Sequence, residues 1–535
     1  MPPVIYNNLL DWFLAFLPIL AVLVLMLRFR WGGAKAGAVG WLVALLVAAL
    51  CFGAGPQVLA YAQLKGLLLT LFVLYIVWAA LLFYRVTDEA GVLAAIGTGL
   101  PRLTPDRGLQ ALLLGWIFGA FLQGVSGFGV PVAVVAPLLV GLGFPAVTAV
   151  IIASVGHSWA VTFGSLGSSF YALIGATGRS GKELAPWCAV MLGLACLGCG
   201  AGTLWAAGGK RTLRASLAPL LVVGSVMAGV QFLVVTHGMW AIGGMVAGLA
   251  GLAVGVAWAH WQAPIEHGCA EFADQPSPSR NGGSGDRSLT NPSTAPILSP
   301  QGMPLSWALF PYALLVATVL AAQLLPPVRD FLGQVVIRVP FPALTTTRGW
   351  VTPAGQGRTI SVFGHAGALL TYASLVTYAL FHRQGRYTDG TAGRIARTVV
   401  RRARRSSLGI AALVGMAMTM EHAGMTHLLA NGIAQVAGPA FPLVAPFIGA
   451  LGAFMTGSNT NSNVVFGSLQ QHVAALVGVS PLIILAAQTA GGAIGSLFAP
   501  AKVIVGCSTV ELGGQEGPVL RAAMRYGLAI VAGLA

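Results

Sequence analysis

Charge is what this 535-residue chain has least of: only 8% of its positions are Asp, Glu, Lys or Arg, against about 25% in an ordinary soluble domain. Acids are the scarcer sign, 14 against 29 basic residues, for a formal net charge of +15. With 56% of residues hydrophobic, so little charge excludes a soluble globular enzyme and a disordered chain. Cysteine is sparse too, with six residues. The Cys196-Leu-Gly-Cys199 spacing resembles half a metal site, but no His and no second pair accompany it. Small-residue packing in a Gly-rich helix is the better reading. The nine histidines are scattered and no nucleotide-binding glycine motif is present. No metal, no cofactor and no catalytic constellation is therefore expected, and the chain is read as not an enzyme.

Long apolar runs are abundant. A helix needs about 20 apolar residues to cross the hydrocarbon core. Clear candidates cover 9–27, 36–54, 64–83, 186–208, 215–236, 240–259, 305–325 and 361–382. Less regular apolar regions lie at 108–178 and 408–510, and a closing segment at 519–535. The run Leu9 to Leu27 has no basic leader and no small-residue cleavage site, so it reads as a retained span. One long polar stretch, 260–304, is rich in Pro, Ser, Gly and Asn. It reads as a disordered cytoplasmic linker between an N-terminal half, 1–259, and a C-terminal half, 305–535.

The basic residues cluster between apolar runs, as the positive-inside rule produces, and this excludes a nucleic-acid partner in favour of membrane lipid. Arg28, Arg30 and Lys35 follow the first span; Arg85, Arg102 and Arg107 the third; Lys210, Arg211 and Arg214 the run 186–208. Arg383, Arg386, Arg394, Arg397, Arg401, Arg402, Arg404 and Arg405 form the densest group. Placing all four groups in the cytoplasm requires an external N-terminus. The loop 326–360 then falls outside despite Arg329, Arg338, Arg348 and Arg358, against the rule.

Two segments resemble each other. Gly119-Ala-Phe-Leu-Gln-Gly-Val-Ser-Gly-Phe-Gly-Val-Pro131 is followed by Gly143-Phe-Pro145 and then Gly164-Ser-Leu166. Gly452-Ala-Phe-Met-Thr-Gly-Ser-Asn-Thr-Asn-Ser-Asn463 is followed by Val479-Ser-Pro481 and then Gly495-Ser-Leu497. The copies cover about 108–178 and 439–510. The charge map runs the helix reaching Gly119 outward and the one reaching Gly452 inward, so opposite topology is expected, as in transporters built from inverted repeats. Each copy interrupts its apolar run with Gly, Ser, Asn and Thr. Irregular backbone at membrane depth is tolerated only where protein buries it or it lines a wet cavity. Broken helices there offer free N–H groups and positive dipole ends to a small anion. Ser126, Gly127 and Gly129 are thus expected to face Ser458, Asn459, Thr460, Asn461, Ser462 and Asn463 around a small carboxylate. Small-residue helix packing explains scattered Gly and Ser, but explains the run 458–463 poorly.

Ionisable residues at membrane depth are functional candidates. Glu421 and His157 are the candidate proton carriers, the first able to pair instead with His422 or His427 near a helix end, the second within Ser154-Val-Gly-His-Ser158. Lys502, close after the second copy's last break, is a candidate partner for a substrate carboxylate; its other reading is a side chain snorkelling to the interface.

At these residues the sequence resembles the L-lactate permease family of bacterial proton symporters. The resemblance rests on Ser126-Gly-Phe-Gly-Val-Pro131 with Leu138-Leu-Val-Gly-Leu-Gly-Phe144, on Thr456-Gly-Ser-Asn-Thr-Asn-Ser-Asn463, and on Ala490-Gly-Gly492 with Pro500. It implies uptake of lactate, and often glycolate, with a proton across the inner membrane. Ser458-Asn459-Thr460 is also similar to the hairpin-tip motif of sodium-coupled dicarboxylate carriers. Two departures stand out: family members commonly carry Asp where Asn459 stands and Lys where Ser496 stands. The expectation is an all-α polytopic membrane protein with about 12–14 transmembrane helices, including re-entrant or broken ones in two inverted-topology repeats. It would carry a small 2-hydroxymonocarboxylate with protons by alternating access. A sodium-coupled carrier of another organic anion is the alternative, and a membrane-embedded enzyme a weaker one.

Overall fold

In the computed structural model, residues 9–29, 31–93, 95, 104–126, 129–267, 303–512 and 516–535 are described. Gly127 and most of the polar stretch, 268–302, lie outside them. Three helices open the chain: α1 (Leu9–Leu27), α2 (Gly33–Cys51) and the long α3 (Pro56–Glu89). The first repeat follows as α4 (Arg107–Val125), α5 (Val130–Gly141), α6 (Ala146–Ser158) and α7 (Ser168–Thr177). Helices α8 (Gly181–Ala215), α9 (Leu217–Thr236) and α10 (Gly243–His267) complete the first half, so α10 runs on into the stretch expected to be linker.

The second half begins with α11 (Leu305–Leu324) and α12 (Pro326–Leu332), an 88° bend separating their apolar parts. Next comes an extended hairpin whose paired rungs run from Val336 opposite Ser361 to Thr345 opposite Val351. This is β-structure where the sequence suggested only a loop. Then come α13 (Ala366–Arg383) and α14 (Thr391–His422). The densest basic group is therefore largely not a loop: Arg394 to Arg405 lie on the opening turns of α14. The second repeat is α15 (Met425–Ala437), α16 (Phe441–Thr456), α17 (Asn459–Leu476), α18 (Pro481–Gly495) and α19 (Pro500–Thr509), and α20 (Glu516–Leu534) closes the chain.

Among the described residues ten helices are long and apolar enough to cross a membrane, eleven if the bent pair is one span. The expectation was 12–14. Part of the difference is helix that does not cross: the 12-residue α5 is too short, because a crossing takes about 20 residues.

The two repeats share one element order. In each, a helix reaches a break, a second helix runs back beside it, and a long interrupted helix follows. The breaks fall where glycine supplies a left-handed backbone, φ +85° at Gly129 and +71° at Gly457, a conformation that costs other residues more. The interrupted helices are α6 with α7 (Ala146–Thr177) and α18 with α19 (Pro481–Thr509), each long enough to span as a pair. A short 3₁₀ turn stands at each interruption, Trp159–Val161 and Ser496–Phe498.

Contacts between the copies are reciprocal. Helix α7 packs on α17 and α19 on α5; α18 meets the turn at 159–161 and α6 meets the turn at 496–498. The two hairpin bases are held at separate places. The base of the first is closed where Arg107 Nη1 donates to the Gly143 carbonyl at 3.5 Å and stacks over Phe144. In the second, Gln470 donates to the Ala445 carbonyl at 3.0 Å and Ser462 to that of Gly449 at 2.8 Å, pairing α16 and α17 antiparallel. The span α6–α7 starts at the first base and ends beside the second, where Arg179 Nε donates to Gln471 Oε1 at 3.1 Å.

Candidate functional site

The polar run 458–463 caps and opens α17. Ser458 is its N-cap, its hydroxyl accepting from the Asn461 amide at 3.4 Å, the usual way to satisfy a free helix-end donor. Asn459 then donates to Thr162 Oγ1 at 3.1 Å and to the carbonyl and hydroxyl of Thr489 at 3.2 Å. Asn463 donates to the Ser169 carbonyl at 3.0 Å and to Thr489 Oγ1 at 2.9 Å. Thr460 and Ser169 hydroxyls lie 3.1 Å apart. Ser462 accepts from Gln488 at 3.0 Å, and Gln470 donates to Gln488 in turn.

Helix breaks of both repeats thus meet in one buried polar layer. Carbonyl acceptors orient the amides of Asn459 and Asn463, which leaves their Oδ1 atoms, with that of Asn461, buried without a hydrogen-bond donor. Buried polar atoms without partners are rare in folded proteins, and these are acceptors awaiting a hydroxyl or a cation.

The partners of this run differ from those expected. Ser126 is buried, but its hydroxyl turns back to the Leu122 carbonyl of its own helix at 2.7 Å. Gly129 lies nearest Val505 of α19. The first hairpin's tip therefore packs toward the second repeat's interrupted helix, and the residues that meet 458–463 are Thr162, Ser169 and Thr489. Sequence reading missed all three because single Ser and Thr residues are common in apolar helices. Their signal was position: Thr162 and Ser169 flank the Gly164-Ser-Leu166 marker.

Lys502 does not snorkel to an interface. It is 9% exposed and sends Nζ back to Ser496 Oγ, 2.9 Å away. The ammonium absent from position 496 is thus delivered there from six residues along. Among the described residues it has no carboxylate partner. His157, fully buried, points Nδ1 at the Ala153 carbonyl 2.6 Å away. A nitrogen facing a carbonyl must carry the proton, so Nε2 is the bare one, and it is buried without a partner.

Glu421 stands apart. Its carboxylate accepts from Ser468 at 2.8 Å and lies 3.7 Å from His472 Nε2, with both side chains partly exposed. Its ring partner is thus His472 and not His422 or His427. His422 faces the Met418 carbonyl, and His427 packs against Trp350. Cys196 and Cys199 are free thiols buried on α8, Cys199 lying 3.3 Å from Ser158 Oγ. Among the described residues no three His, Cys, Asp or Glu side chains gather as metal ligands would.

Fold and centre together define a multi-pass membrane protein whose broken helices enclose hydroxyls, amides and one uncompensated cation. The L-lactate permease family profile matches residues 11–535, and the chain belongs to that family. It is 28% identical to an L-lactate permease of Bacillus subtilis, covering 98% of this chain and 95% of that one. It is also 28% identical to the glycolate permease GlcA of Escherichia coli, covering 96% and 92%. These relatives are permeases, not enzymes. The solved Alcanivorax borkumensis YdaH transporter aligns over 86% of this chain and 82% of its own, at 13% identity and a TM-score of 0.39.

Proposed function

We propose that this protein imports L-lactate, or a related short 2-hydroxymonocarboxylate such as glycolate, with a proton across the bacterial inner membrane. The observation that carries the reading is Lys502, a buried ammonium whose hydrogen-bond partner is one serine hydroxyl. A charge held at depth without an acid is costly, and a solute carboxylate relieves that cost when bound. Lys502 and Ser496 take the carboxylate, and the unpaired amide oxygens of Asn461 and Asn463 accept from the 2-hydroxyl. Asn459, Thr460, Ser458 and Ser462 shape the tip, while Ser126 and Gly129 of the first hairpin back the interrupted helix that carries Lys502. The names of the lactate and glycolate permease relatives support this solute class.

The proton carrier is His157. Its Nε2 takes the proton, and two cations in one buried centre repel, so ring and ammonium do not both carry charge until an anion lies with them. Anion and proton then enter together, a coupling between two sites. Glu421, on the far part of α17's neighbourhood, delivers or releases the proton at the outer end. The shared element order and reciprocal contacts of the repeats, with the charge map, support inverted-topology repeats and alternating access.

Two pairs of basic ends lie together. Arg394 lies 3.9 Å from Glu89, and Gly108 packs beside Thr212 and Ser216. With these ends placed in the cytoplasm, that side receives the linker 260–304 between the halves 1–259 and 305–535, and the N-terminus lies outside.

The test is uptake of labelled L-lactate into proteoliposomes with an imposed pH gradient, with glycolate, pyruvate and succinate as competitors. Accumulation that follows the gradient, inhibited by glycolate but not succinate, is expected. Indifference to the gradient removes the proton. His157→Gln should abolish gradient-driven accumulation while lactate exchange continues. A second reading, coupling to sodium, is favoured by the neutral, donor-free oxygens of Asn459, Asn461 and Asn463, which suit an alkali cation. Replacing sodium by choline separates the two.

A further inference from the structure

The four arginines of the segment 326–360 contradict the positive-inside rule, and the structure divides them. Arg329 pairs with Asp330 at 3.3 Å, and Arg348 with Asp11 at 3.4 Å. Arg338 points to the surface. Arg358 does none of these. Its guanidinium lies over the ring of Phe72 on α3, 4.1 Å from the ring centre. Tyr75 and His365 stack at 4.8 Å beside it, and Tyr171 lies against both Phe72 and His365. Its Nε is buried with no hydrogen-bond partner, and among the described residues no carboxylate pairs with it. Burial works against its charged form, with Tyr171 opposing that effect.

Aromatic faces attract a guanidinium but offer its Nε no acceptor. What that fork matches is a carboxylate, held by two parallel hydrogen bonds. Tyr171 ties the place to the transport centre: it lies on α7, two residues from Ser169, which bonds Asn463 and neighbours Thr460.

We infer that Arg358, over Phe72 at the edge of the ring cluster of Tyr75, Tyr171 and His365, is a second anion site, where a small monocarboxylate docks before it reaches the buried centre. The hairpin, outside both repeats, is thus an entry element, and its place next to the Arg348–Asp11 contact puts it at the mouth on the N-terminal side. This rests on the reading of the protein as a carrier of short carboxylates.

The experiment measures initial rates of L-[14C]lactate uptake into proteoliposomes at low ionic strength for the full-length wild type, Arg358→Gln and Arg358→Lys. Removing a charge-assisted contact should raise KM about tenfold in Arg358→Gln with Vmax within about twofold. Arg358→Lys, which keeps the charge but loses the fork, should raise it about threefold. An unchanged KM in both variants overturns the inference. So does a fall in Vmax at constant KM, which would make the hairpin a structural clamp. If Arg358→Gln fails to insert, the lysine variant decides alone by the same criterion. A wild type that takes up no lactate defeats the carrier reading instead, so the two failures are distinguishable.

Discussion

The two repeats share an element order and differ in what they place at their breaks. The first tip, around Gly129, is apolar and carries one serine whose hydroxyl serves its own helix. The second carries Ser458 to Asn463, which reach across to Thr162, Ser169 and Thr489. The second interrupted helix then adds Lys502. The frame is alike in both: in each, glycines let the first hairpin arm and the following span touch backbone to backbone. A Cβ at Gly156 would overlap the Gly115 carbonyl, and one at Gly491 that of Pro446. Asymmetry accounts for the chemistry. The frame tolerates divergence at the tips because the close approaches lie along the arms, away from the tips themselves.

The largest expected effect follows from the most asymmetric residue. Lys502→Ala should lower lactate uptake by about a hundredfold, since a lost charged partner leaves a carboxylate buried alone; uptake within threefold of wild type would remove the cation from the centre. A direct contrast of the tips comes next. Asn463→Ala should raise KM about tenfold, whereas Ser126→Ala should change it less than about twofold, because that hydroxyl is already spent on Leu122. Equal effects would restore the first tip to the role expected of it from sequence. The smallest effect is expected outside the repeats. Glu421→Gln should leave the lactate KM unchanged and slow only gradient-driven uptake, by about threefold as a partly exposed proton donor. Loss of all coupling in that variant would transfer the proton from His157 to Glu421.

Much of this was readable from residue order. Glycines and prolines interrupting apolar runs mark both breaks, because they alter the backbone whatever surrounds them. The run 458–463 marks a tip, because six polar residues at membrane depth demand partners. The partners themselves were not readable: Thr162, Ser169 and Thr489 are ordinary in apolar helices, and only folding brings them to Asn459 and Asn463. Nor was the return of Lys502 to Ser496, since a six-residue separation leaves the reach of a flexible side chain open. The 336–361 hairpin pairs in two-residue rungs, too short for an alternating pattern to show.

The crossing of partners between copies has a consequence for heredity as well as chemistry. Thr162 and Ser169 come from one half, and Asn459, Asn463, Thr489 and Lys502 from the other, so on the proposed reading neither half holds the centre alone. A chain cut between its halves would regain transport only when both pieces are made together, and a change in one piece would be open to repair by a compensating change in its counterpart.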